Sequence, residues 1–595
     1  MTLIKLANNA DIQPGKILEV TLDEDKFILL ENKGKIKAFQ ANCPHQGAPL
    51  AEGQIKNGHL VCPLHHWHFS CENGMNKEHD TCLKSFPITI RNKEVLIDPK
   101  VLGREKKSAE DAPIQSIKDL PSPKGTFLLG NLPEFQNQEK HLVLEKWVEE
   151  CGKLFKINLL GKEFVVSADP DLNHQILKHR PDMFRRFFKI SEIMEEMGIM
   201  GVFNAEGNAW KKHRKLTSEA LNMRNIKGFF PTISQVTHRL FRKLKAFDVE
   251  GKEVDVQKLM MRYTVDITTV IAFGYPMNTL ENEGDVIQGH LEKIFPMVNQ
   301  RITAPLTYWR FLKLRKDREL DNALLEIEKT IMDFISEARN RLKQNPDLKE
   351  KPGNFLEALL VQQEKEGNFS DHEVFGNVFT LLLAGEDTTS NSISWALFYL
   401  AQNPAAVKKI RQETQSIFPS TSHPVDYEMI NRLKYTEAVA MEAIRLKPVT
   451  PNLYFQALED TQINNFLFKQ GTTIMMQNKV AQTSDDNFAE AGKFIPERWL
   501  KTGCPVHGAH KPEMIKAFGS GPRFCPGKNL AMHEMIMSLS MICKNFDLEL
   551  VVKPEKVKEI FAFTMYPENL WLRFKTLDPA KDNVGRTEDL NMKNF

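Results

Sequence analysis

Three short stretches of this chain carry residue types and spacings that suit chemistry. Cys43-Pro44-His45 and Cys62-Pro63-Leu64-His65 form the pattern C-x-H-x16-C-x2-H, two thiols and two imidazoles at matched spacings. Taken without its flanks, that donor set suits a structural zinc ion. Cys525 stands inside Phe518-Gly519-Ser520-Gly521-Pro522-Arg523-Phe524-Cys525-Pro526-Gly527. A lone cysteine among apolar residues is usually core, but the glycines and the arginine around this one turn the chain tightly. Ala384-Gly385-Glu386-Asp387-Thr388-Thr389 breaks an apolar run that begins near Phe379. A glycine inside a helix costs about 1 kcal/mol against alanine, and an acid beside two alcohols is poor core, so the stretch reads as functional.

The chain around these stretches is long enough for more than one domain, at 595 residues. Residues 1–99 read as short strands: Val20 to Leu30 and Val95 to Ile97 are rich in β-formers, and Gly15, Asn32-Lys33-Gly34 and Asn57-Gly58 supply turns. Residues 100–118 are charged and small, the composition of a flexible linker. Helical periodicity dominates residues 119–577, as over Asp371 to Leu400 and Tyr435 to Leu446. Residues 578–595 are polar and read as a frayed tail.

The composition narrows the function classes. A net charge of +2 argues against a general nucleic-acid binder. Met1 to Asp11 holds no signal-peptide h-region, and no apolar run reaches the roughly 18 residues of a spanning helix. Eight cysteines in such a chain make no disulfide scaffold. A reducing, cytoplasmic setting without a transmembrane anchor is the expectation.

With their flanks, Cys43-Pro-His-Gln-Gly-Ala-Pro-Leu50 and Cys62-Pro-Leu-His-His-Trp-His-Phe69, the N-terminal loops resemble the Rieske family of [2Fe–2S] proteins. The resemblance implies a cluster held by Cys43, His45, Cys62 and His65. Respiratory-chain members carry two further cysteines, at positions that are Ala48 and Leu64 here, and a Ser and a Tyr where this chain has Trp67 and Phe69. Hydroxyls at those places raise the potential, so their loss implies a potential toward the low end of the Rieske range, about −150 mV. His66 stands where the pattern often has glycine. His66, His68, Cys71 and Cys82 fit neither ligand box and read as packing or surface residues. No charge occurs from Asn42 to Ala51 or from His59 to Cys71, which suits docking against another protein surface.

The pattern F-x-x-G-x-R-x-C-x-G, with Phe518, Gly519, Gly521, Arg523, Cys525 and Gly527, matches the haem-binding loop of the cytochrome P450 family. The resemblance implies haem b with Cys525 as the thiolate ligand and Arg523 on a propionate. Leu120-Pro-Ser-Pro-Lys-Gly125 resembles the proline-rich hinge of the family, and Trp210 with Arg214 the pair that contacts a propionate. Glu442, Arg445 and Arg498 match a buried structural ion triad. One propionate arginine is missing, because Phe455 occupies its place. Asp387 and Thr388 match the acid–alcohol pair that delivers protons to bound oxygen, with Gly385 opening a groove for it. The fold class is therefore multidomain, a small all-β Rieske domain followed by a mainly α cytochrome P450 fold with a minor β region.

Together these features imply a fusion of a Rieske domain with a bacterial-type cytochrome P450. Its expected activity is hydroxylation or epoxidation of a lipophilic substrate with O2. Electrons would pass through the fused cluster from a separate flavin-dependent NAD(P)H reductase, since no G-x-G-x-x-G nucleotide fingerprint follows a strand here. Trp210-Lys-Lys-His-Arg-Lys215 is a basic stretch suited to partner docking. The segment Phe184 to Phe203, rich in Phe and Met, reads as core or as a substrate-access wall. Ala531-Met-His-Glu534 to Phe546-Asp547 resembles bacterial fatty-acid hydroxylases of the family, yet fatty acid, terpenoid and steroid all stay open. A haem and iron–sulfur redox or gas sensor would not need Asp387-Thr388. A peroxygenase or isomerase of the same fold would have little use for the cluster. A Rieske oxygenase acting alone would need a mononuclear iron site, for which no motif is strong enough.

Overall fold

The computed structural model describes residues 3–22, 25–44, 49–63, 67–76, 81–98, 114–136, 139–282, 289–290, 293–304, 306–500 and 510–577. The chain divides into two compact units, Met1–Pro113 with Leu500–Lys511, and Ile114–Trp499 with Pro512–Phe595.

The first unit is all β. The β-rich run from Val20 to Leu30 folds as a hairpin, with Leu22 pairing with Asp25 across it. Strands β1 (Ile4–Asn8), β2 (Ile17–Leu22), β3 (Asp25–Asn32) and β4 (Lys35–Gln40) supply most of two sheets. One sheet runs Ser85–Phe86, β4, β3, β2, and the other runs β1, Glu94–Ile97, Ile88–Arg91. The Lys33-Gly34 and Asn57-Gly58 turns have positive φ at both residues, as two-residue hairpins require. Alternation along β3 sends Phe27 and Leu29 into a core with Leu6, Val95 and Ile97, and Ile28 and Leu30 into a second core with Leu50, Leu60 and Phe69. β3 is thus buried on both faces, and the second of these cores lies under the two cysteine loops.

The second unit is mainly helical. A five-stranded mixed sheet runs Leu154–Leu159, Lys162–Ser167, Thr473–Gln477, Asn452–Ala457, Phe184–Arg186, with its second and third strands parallel. Both faces are covered: Val165, Ile474 and Met476 pack on one side, Val166 and Met475 on the other. Five helices position the site: α1 (Gly207–Ala220), α2 (Val256–Phe273), α3 (Asp371–Gln402), α4 (Lys434–Leu446) and α5 (Lys528–Asn545). Helix α3 starts at a capping box, in which the Ser370 hydroxyl accepts from the Glu373 N–H at 3.2 Å and the Glu373 carboxylate accepts from the Ser370 N–H at 2.8 Å. It is buried along most of its 32 residues, so its polar positions are placed by packing.

Candidate active site

One cavity of about 1450 Å³ dominates the second unit. Cys525, Phe518, Gly519 and Gly527 line it from the C-terminal loop, and Ala384, Gly385 and Thr388 line it from α3. The sequence places these two groups 137 residues apart, counting from Thr388 to Cys525. Aromatic and aliphatic residues, among them Phe187, Phe188, Leu381, Val449 and Phe561, make up much of the remaining wall.

The cysteine loop is held from within. The Cys525 N–H donates to the Phe518 carbonyl at 2.9 Å. Gly521 has φ +68°, and a Cβ there would lie 2.4 Å from the Leu177 carbonyl oxygen, so no other residue fits that turn. Burial pushes the Cys525 thiol up, while the backbone N–H groups of Gly527 and Lys528 and the charge of Arg214 pull it down. Helix α5 begins three residues beyond Cys525, and its N-terminal dipole adds to the pull toward thiolate. A thiolate here would be a soft ligand for a metal at a half-buried position.

The predicted propionate residues are brought together, with partners the sequence did not suggest. Arg523 stacks over the Trp210 ring, 5.0 Å from its centroid, and donates to Glu206 and to the Val202 and Phe203 carbonyls. Arg214 donates to the Phe524 carbonyl at 2.6 Å. Glu206 also accepts from Arg180 at 3.2 Å and from the Arg186 backbone N–H at 2.9 Å. Arg180 covers the ring of Phe455 at 4.6 Å and is 4% exposed, and its Nε has no hydrogen-bond partner. Burial and the neighbouring guanidinium of Arg523 push Arg186 down to about 9. Three arginines around one glutamate leave positive charge in excess at the cavity wall. A haem, which carries two propionates, fits both that excess and the unpartnered Arg180 Nε. Where the expected arginine is absent, at Phe455, Arg180 from the turn after the helix Pro170–Lys178 lies against the ring.

Asp387 and Thr388 separate to different faces of α3. Thr388 lines the cavity, and its hydroxyl donates to the Ala384 carbonyl at 2.6 Å. The Asp387 carboxylate instead accepts from the Thr564 hydroxyl and, at 3.3 Å, from Asn391 Nδ2, which also donates to Thr564 Oγ1 at 3.2 Å. Burial pushes the Asp387 carboxyl up against the lowering effect of these hydrogen bonds. The side-chain direction of Gly385 points at α2: a Cβ there would meet Thr268 Oγ1 at 2.8 Å. Glycine at 385 thus allows two helices to cross closely as well as baring the cavity wall.

Glu442, Arg445 and Arg498 meet in a buried network. Arg445 donates both Nε and Nη2 to the carboxylate at 2.9 Å, Arg498 Nε donates at 3.0 Å, and the Trp499 indole donates at 2.9 Å. Burial alone would raise the Glu442 carboxyl, but Arg445 and the other donors hold it below the ordinary value. Arg445 additionally ties down the Gln482 and Ala491 carbonyls at 2.8 Å each.

In the first unit, Cys43 and Cys62 are 3% and 1% exposed and share one core with Leu50, Leu60 and Phe69. Each opens a loop closed at its base. Leu50 N–H donates to the Ala41 carbonyl at 2.8 Å beneath the first loop, and Cys62 N–H donates to the Trp67 carbonyl at 2.9 Å beneath the second. His45 and His65 lie outside the described residues, as do Ala48, Leu64 and His66. Phe69 is wholly buried, so the residue standing where other members have a hydroxyl is a core residue here. His68 is exposed, Cys71 is buried, and Cys82 is disulfide-bonded, so Cys82 is not a ligand in reserve.

Other expectations resolve differently. In Phe184 to Phe203, Ile193, Met194, Met197 and Ile199 are core, whereas Phe187 and Phe188 line the cavity. In the basic stretch, Lys211, Lys212 and Lys215 pair with Asp182, Glu373 and Glu366, and His213 is buried against Asn377. That leaves less unpaired charge for docking than the sequence suggests. Sequence reasoning missed Glu206, Arg180, Arg186, Thr564 and Asn391. Charged residues beside the apolar Phe187-Phe188 pair were a signal for the arginines, but nothing in the sequence marks Thr564.

A cysteine loop under a large apolar cavity in the second unit, with paired cysteine loops in the first, defines a haem-thiolate protein with an attached iron–sulfur domain. The cytochrome P450 family model matches residues 120–574 and the Rieske [2Fe-2S] domain model matches residues 2–87, and the chain belongs to the cytochrome P450 family. It is a cytochrome P450 monooxygenase, an oxidoreductase, and its cofactors are haem and a [2Fe–2S] cluster. The chain is similar to cytochrome P450 3A13 of Mus musculus, 28% identical over 74% of this chain and 87% of that one. It is also similar to the putative cytochrome P450 CYP13A7 of Caenorhabditis elegans, at 26% over 77% and 94%. A third relative is the protein LUTEIN DEFICIENT 5, chloroplastic, of Arabidopsis thaliana, at 24% over 75% of each chain. No helix among the described residues is long and apolar enough to cross a membrane.

Proposed function

We propose that this protein hydroxylates or epoxidises a lipophilic substrate with O2, taking electrons through its own Rieske cluster from a separate NAD(P)H-dependent flavin reductase. The observation that carries the reading is the single cavity lined by Cys525 on one side and Thr388 on the other, walled by Phe187, Phe188 and Phe561. When bound, a thiolate-ligated haem supplies oxygen activation, and the cluster supplies one-electron transfer.

The chain's own residues supply the rest. Cys525 would hold the haem iron, and Trp210, Arg214, Arg523 and Arg180 would hold the macrocycle's edge. Cys43 and Cys62, with His45 and His65, would hold the cluster. The Thr388 hydroxyl donates its one proton to the Ala384 carbonyl, so its oxygen can accept a hydrogen bond in the cavity, and it donates there only after turning away from that carbonyl. Asp387 acts from behind it as the proton source, kept in place by Thr564 and Asn391. The apolar wall orients the substrate and excludes water, which limits loss of reducing equivalents as peroxide. Fusion of donor and acceptor raises their effective concentration.

The test uses the purified full chain with a flavin reductase, NADPH or NADH, and a lipid library. Dithionite and CO should give the red-shifted Soret band of a thiolate complex, and Cys525→Ser should abolish it. Cys43→Ser should keep that band yet lose reductase-driven product. Product formation unaffected by Cys43→Ser would overturn the electron route, and a CO spectrum unchanged by Cys525→Ser would overturn the haem assignment.

A further inference from the structure

The wall of the cavity is cationic. Among the lining residues, basic side chains outnumber acidic ones eight to two. Four of the eight are Arg180, Arg186, Arg214 and Arg523, already accounted for around Glu206 and the cysteine loop. Of the other four, Lys140, Lys162 and Lys189 come from three separate elements, the helix Lys140–Cys151, the strand Lys162–Ser167 and the helix Phe188–Glu196. Leu160 and Phe188, within two residues of Lys162 and Lys189 in sequence, are 46% and 36% exposed and line the cavity with them.

None of the three lysines pairs with a carboxylate among the described residues. Lys140 Nζ donates to Asn299 Oδ1 at 3.3 Å and stands 5.1 Å above the ring of Phe561, a cavity residue. Lys189 Nζ donates to the Ala304 carbonyl at 3.3 Å. Asn299 and Ala304 lie on the helix Ile294–Thr303 and its last turn, which ties both ammonium groups to one side of the cavity. The acidic lining residues do not compensate: Glu163 pairs with Lys156 at 3.3 Å, and Glu534 is on α5 beside the cysteine loop. Glu192, the acid nearest Lys189, is bound to Arg310 at 2.6 Å. Lys140 also occupies the first position of its helix, where the dipole disfavours a cation.

A half-buried lysine without an acid is costly, and the partial burial pushes Lys140 down to about 8. An anion arriving with the substrate would remove that cost. We infer that the substrate is a lipophilic carboxylic acid whose carboxylate is bound by Lys140, with Lys189 and Lys162 around it, and whose apolar chain runs along Phe561 and Phe188 toward the Cys525 face. This rests on the monooxygenase reading above and narrows its substrate class: neutral terpenoids and steroids would leave the lysines unmatched. Lys140 is a specificity residue in this scheme and takes no part in the oxygen chemistry.

Binding to the full-length holoprotein, read as the spin-state shift of its absorption spectrum, tests this without turnover. The probes are dodecanoate, dodecan-1-ol and dodecyltrimethylammonium. Dodecanoate should bind at least about tenfold tighter than dodecan-1-ol, as expected for a hydrogen bond to a charged group. Lys140→Met should lower dodecanoate affinity by about the same tenfold and leave dodecan-1-ol unchanged, while Lys140→Arg should retain the preference. Lys140→Glu should reverse it toward dodecyltrimethylammonium. Lys189→Met, which removes a more peripheral charge, should give a smaller loss. Equal affinity for acid and alcohol in the parent protein, or a ratio unchanged by Lys140→Met, overturns the inference. A thiolate-type CO spectrum in each variant shows that it has folded and loaded haem. Loss of that spectrum in the parent would instead overturn the monooxygenase reading, so the two failures are distinguishable.

Discussion

Asp387, half-buried, and Glu442, buried, are carboxylates of the haem unit whose surroundings push them in opposite directions. Glu442 is held low by two arginines. Its contribution to stability is fully present above the unfolded glutamate value and is lost as pH falls through the depressed native value. Glu442→Gln should leave Arg445 and Arg498 as uncompensated buried charges and cost about 3–5 kcal/mol, measured by denaturant unfolding. Asp387 is raised by burial, so the unfolded chain ionises first and stability falls as pH rises from about 3.9 through the native value. Asp387→Asn should therefore be more stable than the parent at pH 7, because an amide can still bond Thr564 and Asn391. The same variant should make product on the order of 100-fold more slowly, with peroxide rising in proportion. A variant that loses stability and keeps its rate would mean that Asp387 is a structural carboxylate.

At the scale of elements, the crossing of α2 over α3 is the contact most sensitive to a single methyl group. Gly385→Ala places a Cβ 2.8 Å from Thr268 Oγ1, and overpacking of this kind costs about 1–3 kcal/mol. The double variant Gly385→Ala, Thr268→Ala should recover most of that loss in thermal unfolding, whereas additive losses would place the strain elsewhere. Elements were largely legible from the chain: the helices over Asp371 to Leu400 and Tyr435 to Leu446 differ from α3 and α4 by two residues at most. The hairpin within Val20 to Leu30 is not marked by the sequence, because β-propensity is continuous along the run and the residues between Leu22 and Asp25 are acidic rather than glycine. The site was legible where spacing encodes it, as at Cys525 and the Glu442–Arg445 pair. It was illegible where residues far apart in sequence meet through tertiary packing, as Glu206 meets Arg523 and Asp387 meets Thr564.

For the whole molecule, two cofactor-bearing units in one chain fit the last steps of electron delivery, and the proposed reductase would supply the first. The full chain supplied with NADPH or NADH alone should not turn over, and adding a flavin reductase should start product formation. Steady turnover by the chain alone would show that it accepts hydride directly. The cluster of Arg180, Arg186 and Arg523 around Glu206 has a consequence for assembly. Before haem arrives, these guanidiniums face one another across a pocket wall with a single acid between them. The newly made chain should thus depend on dissolved anions to hold that wall together. Its melting temperature in the haem-free form should climb with chloride or phosphate concentration, and that ionic-strength dependence should shrink once haem is incorporated.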